Sequence, residues 1–146
     1  MKTPAAILLF GLLTGTAEAA EAVVVELTQT GCQFVEPEGA DHGYTTHAYA
    51  DCERINAATG TERLARSTTL TLAPGQYIFR IRNKNVPYEL GFWLRGAGLK
   101  RLVLPGVSGG GILTGTVKDY PVTLKEGEYV YSCPLNPTPD YRLVVR

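Results

Sequence analysis

Three cysteines, two histidines and one tryptophan carry most of the chemical repertoire of this 146-residue chain. Cys133 stands in YVYSCPLNPTPDYRLVVR. There an alternating segment, Tyr129 to Cys133, meets a proline-crowded loop, and a second alternating segment, Tyr141 to Val145, follows. A thiol so placed has three chemistries open to it: nucleophile, disulfide partner or metal ligand. As a nucleophile it needs a base in reach. Only His42 and His47 are available, both far away in sequence, and Glu89 and Asp119 are isolated carboxylates with no acid–base partner. An enzyme is not expected. Gly109-Gly110-Gly111 has no Lys-Ser/Thr pair after it, so it is no phosphate loop and reads as a turn between strands.

The elements that position these residues begin after a leader. Met1-Lys2, the apolar AAILLFGLLTG and the small-residue site Ala17-Glu18-Ala19 have the form of a secretory signal peptide over residues 1–19. Export to the periplasm is the expectation. It leaves residues 20–146 as one domain, with no later segment apolar enough to insert into a membrane. Charge is balanced and stays so when Lys2 and Glu18 leave together. That argues against nucleic acid or an anionic membrane surface as the main partner. An oxidising compartment favours a disulfide. Cys32 and Cys52 share one polar region, and joining them closes a loop of about 20 residues, worth roughly 3 kcal/mol in the chain-entropy model. Cys133 is then the unpaired thiol.

Val23 to Thr28 reads as a first strand. Asp41 to Ser67 is polar and barely alternates. It reads as an inserted loop with a short helix over CERINAATG, capped by Asp51 and stopped by Gly60. From Thr68 the two-residue alternation is strong. TLTLAPGQYIFRIRN reads as a hairpin about Pro74-Gly75, YELGFWLR as a strand, and Val117 to Cys133 as a hairpin about Glu126-Gly127. Short strands with frequent turns predict an all-β, antiparallel sandwich with a short helical insertion. The eight tyrosines fall mostly on strand positions, as core and cross-strand pairs.

Two segments, FRIRNKNVPYELGFWL and LKEGEYVYSCPLNPTPDY, sit in the order N-x-x-x-P, glycine-rich stretch, G-x-Y-x-Y-x-C-P. That order resembles the cupredoxins, the blue-copper Greek-key sandwiches, and most of all the cupredoxin-like domains of exported bacterial proteins that handle iron or copper. The resemblance spans Thr68 to Arg146, with Val23 to Pro37 supplying the first strand. It implies that Cys133 occupies the copper-thiolate position. It also implies that the two histidine positions fall at Tyr88 and Asn136 and the axial methionine near Pro139. A phenol and a carboxamide do not replace two imidazoles, and the only methionine is Met1.

Two readings follow. In one, the chain is an exported cupredoxin-like binding or interaction module without the usual copper set and without a cofactor. Its partner is then a periplasmic protein or small ligand, met through the stiff loop of Pro134, Pro137 and Pro139 or through Trp93. In the other, it is a copper-binding or electron-transfer protein with unusual ligands drawn from Cys133, Tyr88, Glu89, Asn136, His42 and His47.

Overall fold

The computed structural model describes residues 20–146, so the expected leader lies outside the described residues. The β-branched run at the start forms β1 (Val23–Thr30), which turns through Gly31-Cys32 into the two-residue β2 (Gln33–Phe34) and the single-turn α1 (Val35–Glu38). A longer helix, α2 (Tyr49–Arg66), follows. The remaining strands are β3 (Leu70–Leu72), β4 (Gly75–Asn83), β5 (Leu90–Gly96), β6 (Val107–Ile112), β7 (Val117–Leu124), β8 (Gly127–Ser132) and β9 (Tyr141–Val145). A short 3₁₀ turn, Gly98–Leu102, precedes β6.

The strands make two sheets, ordered β2-β1-β4-β7 and β3-β9-β8-β5-β6. Both are mixed rather than antiparallel as expected, because β1 runs parallel to β4 and β3 runs parallel to β9. The two expected hairpins are also absent. At Pro74-Gly75 and at Lys125-Glu126 the chain crosses from one sheet to the other, so β3 and β4, and β7 and β8, do not pair. Alternation reports that one face of a strand is buried; it does not say which strand lies beside it. Gly109-Gly110-Gly111 lies within β6, paired with β5, and is not a turn between strands. Its lack of side chains lets Tyr120 of β7 reach over and donate its hydroxyl to the Gly109 carbonyl at 3.0 Å.

Between the sheets the core is aromatic. Phe34 presents its edge to Phe92, Tyr131 and Tyr141 at centroid distances of 6.2, 5.6 and 5.8 Å, and Phe92 stacks on Phe79 at 5.5 Å. Such pairs add about 0.5–1.5 kcal/mol each beyond area burial. Tyr77, Tyr120, Tyr129, Tyr131 and Tyr141 are all buried.

The expected short insertion is instead an 18-residue helix that lies against the sandwich. Gly60 does not stop it. The glycine is buried beside the Pro139 ring, and a Cβ there would sit at ordinary contact distance, 3.4 Å from the Asn56 side chain and 4.0 Å from that ring. Asp51 is not the cap residue but lies in the first turn, where its carboxylate accepts from the N–H groups of His47 at 2.8 Å and Ala48 at 3.1 Å. The inward face carries Cys52, Asn56, Thr59 and Arg63, at helical spacing. Cys52 is bonded to Cys32, as expected.

Arg63 holds the other end of this face. It donates to both Glu38 oxygens at 2.8 Å and to the Cys32 carbonyl at 2.9 Å, with both side chains of the ion pair nearly buried. Tyr141 also donates its hydroxyl to Glu38, and His42 lies 2.7 Å from the other carboxylate oxygen. Burial alone would raise the Glu38 pKa. The Arg63 hydrogen bonds, the Tyr141 hydroxyl, the Arg63 charge and His42 together hold it below the ordinary carboxylate value. Because the folded value is depressed, the stabilisation is present above the unfolded value of 4.5 and is lost as pH falls through the folded one. Unfolding free energy should therefore drop on acidification below pH 4.5, and this part of the slope should vanish in Glu38→Gln. Arg63→Ala, which strands a buried carboxylate, should cost about 3–5 kcal/mol at neutral pH. Urea titrations at several pH values measure both; a flat acid limb in the native chain would refute the assignment.

Candidate functional site

Three of the side chains singled out by spacing meet at one end of the sandwich. Cys133 follows the last residue of β8, Asn136 lies in the loop that follows, and Tyr88 precedes β5. Asn83 fixes the approach to Tyr88. Its amide donates to the carbonyls of Val86, Tyr88 and Ile112, each at 3.2 Å, and its carbonyl oxygen accepts the Val86 N–H at 2.9 Å. The N-x-x-x-P pattern is thus a buried asparagine that folds the loop leading to Tyr88.

Cys133 is buried and its sulfur is enclosed by donors. The N–H of Gly91 approaches at 3.3 Å and that of Asn136 at 3.2 Å. Burial pushes the thiol up, and the N–H groups of Gly91, Asn136 and Leu135, with the Gln29 side chain, oppose that only in part. Gln29 is itself fully buried. Its amide donates to the Gly91 carbonyl at 2.8 Å, while its oxygen has no other hydrogen-bond partner among the described residues. That oxygen forms no hydrogen bond with Cys133, whose sulfur is approached by N–H donors instead. The group is a protonated, inert thiol rather than a metal-ready thiolate.

Asn136 is fully buried. Its oxygen accepts the Cys32 N–H at 3.1 Å and the Tyr88 hydroxyl at 3.1 Å, and lies 3.0 Å from the disulfide sulfur of Cys52. Its amide donates to the Thr30 carbonyl at 2.9 Å. The carboxamide therefore ties the β1–β2 turn, the disulfide and the β8–β9 loop together, and no lone pair faces an empty space. Tyr88 is half-buried, and burial, with the nearby Asp51 and Cys133, raises its hydroxyl pKa, the Thr46 hydrogen bond opposing. It is a neutral phenol here.

The remaining candidates stand apart from this cluster. Glu89 is exposed and turns toward β6, accepting the Gly111 N–H at 2.6 Å. His42 is held at Glu38, and His47 is exposed just ahead of α2. Neither histidine covers the thiol. In the loop, Pro134 is exposed, Pro137 half-buried, and Pro139 buried against α2. Trp93 is 38 % exposed on β5, with the Arg95 guanidinium 3.8 Å above its ring, so it is neither core nor a bare surface anchor.

Among the described residues no three His, Cys, Asp or Glu side chains are grouped to hold a metal ion. A copper ion does not fit the cluster that does form. Its sulfur is protonated and ringed by backbone donors, its carboxamide oxygen is already committed, and it has no imidazole. The chain matches no protein-family model and no curated protein.

Sequence reasoning located the cluster but missed what fills it. Gln29, Thr46, Glu38 and Arg63 had no signal that distinguished them from surface polar residues. Two outcomes are expected. Asn136→Ala removes the acceptor of the Cys32 N–H and of the Tyr88 hydroxyl and a donor to the Thr30 carbonyl, at about 1–3 kcal/mol for each group that is left dry and unpaired. A loss of about 3 kcal/mol in urea unfolding is expected, against about 1 kcal/mol for Tyr88→Phe. Separately, a thiol-exchange reagent should find the Cys133 thiol in denaturant without reductant and leave it unmodified in the native protein over the same minutes. Rapid labelling of the native chain would show an accessible thiol instead.

Proposed function

We propose that this chain is an exported, periplasmic, cupredoxin-like binding module whose copper end has become structural core. The observation that carries the reading is the meeting of Tyr88, Cys133 and Asn136, at positions where the resemblance calls for copper ligands, with the hydroxyl, the sulfur and the carboxamide all engaged by hydrogen bonds inside the fold. The two-sheet arrangement and the engaged disulfide are compatible with it. Redox or transfer chemistry has no support at this end, because its thiol is buried and its pKa is raised. Function then falls to the surface, where a rigid scaffold can hold a binding site at low entropic cost.

The family assignment and the loss of copper are tested together. Residues 20–146, which contain the whole described fold, should take up Cu(II) without an intense thiolate-to-copper band. Tyr88→His with Asn136→His places two imidazoles beside the thiolate, a donor set that suffices for a coloured copper–thiolate centre with only a weak axial ligand. The double variant should gain the band and bind more copper than either single variant. It should also lose stability, since Asn136→His removes the buried carboxamide. A folded double variant that stays colourless refutes the placement of these loops on the cupredoxin pattern. A coloured native chain that turns colourless in Cys133→Ser would make it a copper protein.

A further inference from the structure

β1 is eight residues long, yet β2 covers only its last two, Gln29 and Thr30. On its other side β4 pairs with Val23 to Gln29. Successive residues of a strand direct their N–H and C=O groups to opposite sides. Gln29 bonds toward β4, where its carbonyl accepts the Lys84 N–H at 3.0 Å, and Thr28 points the other way, its N–H bonded to the Glu36 carboxylate at 2.7 Å. By the same alternation the N–H and C=O groups of Val24 and Glu26 face the open edge, and no described strand pairs with them. The edge begins with β-branched apolar residues, Val23 55 % and Val24 42 % exposed, and carries the exposed Glu26 after them. Of the devices that usually blunt an edge, a proline, a lysine or a bulge, it has none.

A second feature lies beside it. Between β1 and β3, which belong to different sheets, a cavity of about 150 Å³ opens at Leu27, Pro37, Leu70 and the core residue Tyr131. An added strand would thus meet two things: unpaired backbone groups along β1, and an apolar recess able to take one of its side chains. This is the combination by which sheet edges recognise extended peptides.

Charge decides among occupants. Glu21, Glu26 and Glu36 border the edge and are exposed. The nearest cation, Arg80, is engaged by both oxygens of Asp119 at 2.8 Å and lies 4.0 Å from Glu26. A second copy would bring the same three carboxylates against their own kind along a short edge. We propose that the open edge of β1 is a strand-addition site for an extended partner segment. That segment pairs with Val24 and Glu26, seats one apolar side chain in the recess and carries lysine or arginine opposite the glutamates. The proposal rests on the binding-module reading and gives that module its site.

The test uses residues 20–146 and a random twelve-residue peptide library displayed on phage. Enriched peptides should alternate β-branched with basic residues, and the best of them, synthesised and labelled, should bind with measurable affinity. Val24→Pro removes one outward N–H that bonds to nothing inside the fold, and proline is tolerated on an edge. Binding should weaken at least tenfold in Val24→Pro and stay within twofold in Val24→Thr, with both variants as thermally stable as the native chain. If Val24→Pro does not fold, amide exchange decides instead: the Val24 and Glu26 amides of the native chain should become protected on addition of the peptide. No enrichment, enrichment without basic residues, equal binding to Val24→Pro, binding lost in Trp93→Ala, or a native dimer that Val24→Pro dissociates would each overturn the proposal. A coloured copper form of the native chain would sink the binding-module reading while leaving the peptide result to stand on its own, so the two failures are separable.

Discussion

The side-chain amide of Asn136 is sealed from solvent and joins three parts of the chain that are distant in sequence. Its hydrogen bonds join the β1–β2 turn, at Thr30 and Cys32, to the loop after β8, and its oxygen lies in contact with the Cys52 sulfur of the helix-anchoring disulfide. A buried amide left without partners costs more than its bonds contribute when made. The group therefore constrains every element it touches. The loop cannot lift from the turn without stranding two backbone groups, and the thiol of Cys133, which accepts the Asn136 N–H, is closed in by the same fixed loop.

Helix α2 depends on that constraint at one end and on Arg63 at the other. Its inward face is mostly polar, with Leu64 packed against the core, so it docks largely through specific partners: the disulfide, the Asn56 amide on the Pro137 carbonyl, and the paired hydrogen bonds of Arg63 to Glu38. Buried ion pairs give little net stability compared with apolar packing, but breaking one is costly. Such a helix has one seating, and its removal would expose the disulfide and the edge of the aromatic core together. The arrangement gives a stiff end to the sandwich, with the open edge of β1 leading away from it.

The strands were largely legible from their two-residue alternation, and the Cys32–Cys52 bond from an odd cysteine count and a shared polar region. Pairing was not legible, because a half-buried strand such as Leu70 to Leu72 reads the same whether its neighbour is β4 or β9. The helix was underestimated for a related reason. Cys52, Asn56, Thr59 and Arg63 recur at helical spacing, but none is an apolar residue of the kind that periodicity detects. At the candidate site, Tyr88, Cys133 and Asn136 could be brought together by motif spacing alone. What each does there could not, since a buried carboxamide and a loop asparagine are the same letter, and His42 gives no sign in the sequence that Glu38 holds it.

The central claim is that the Asn136 position is structural and coupled to the disulfide, and a double-mutant cycle measures this directly. Unfolding free energies would be determined for the native chain, for Asn136→Ala, for Cys32→Ala with Cys52→Ala, and for all three changes together. Groups in one hydrogen-bonded network couple by about 0.5–3 kcal/mol, whereas independent sites add to within about 0.5 kcal/mol. The account predicts a coupling above about 1 kcal/mol, because the disulfide fixes the turn whose Cys32 N–H bonds to the Asn136 oxygen and places the Cys52 sulfur in contact with that oxygen. Additive losses would contradict it, and would leave Asn136 free for another role at that end of the molecule.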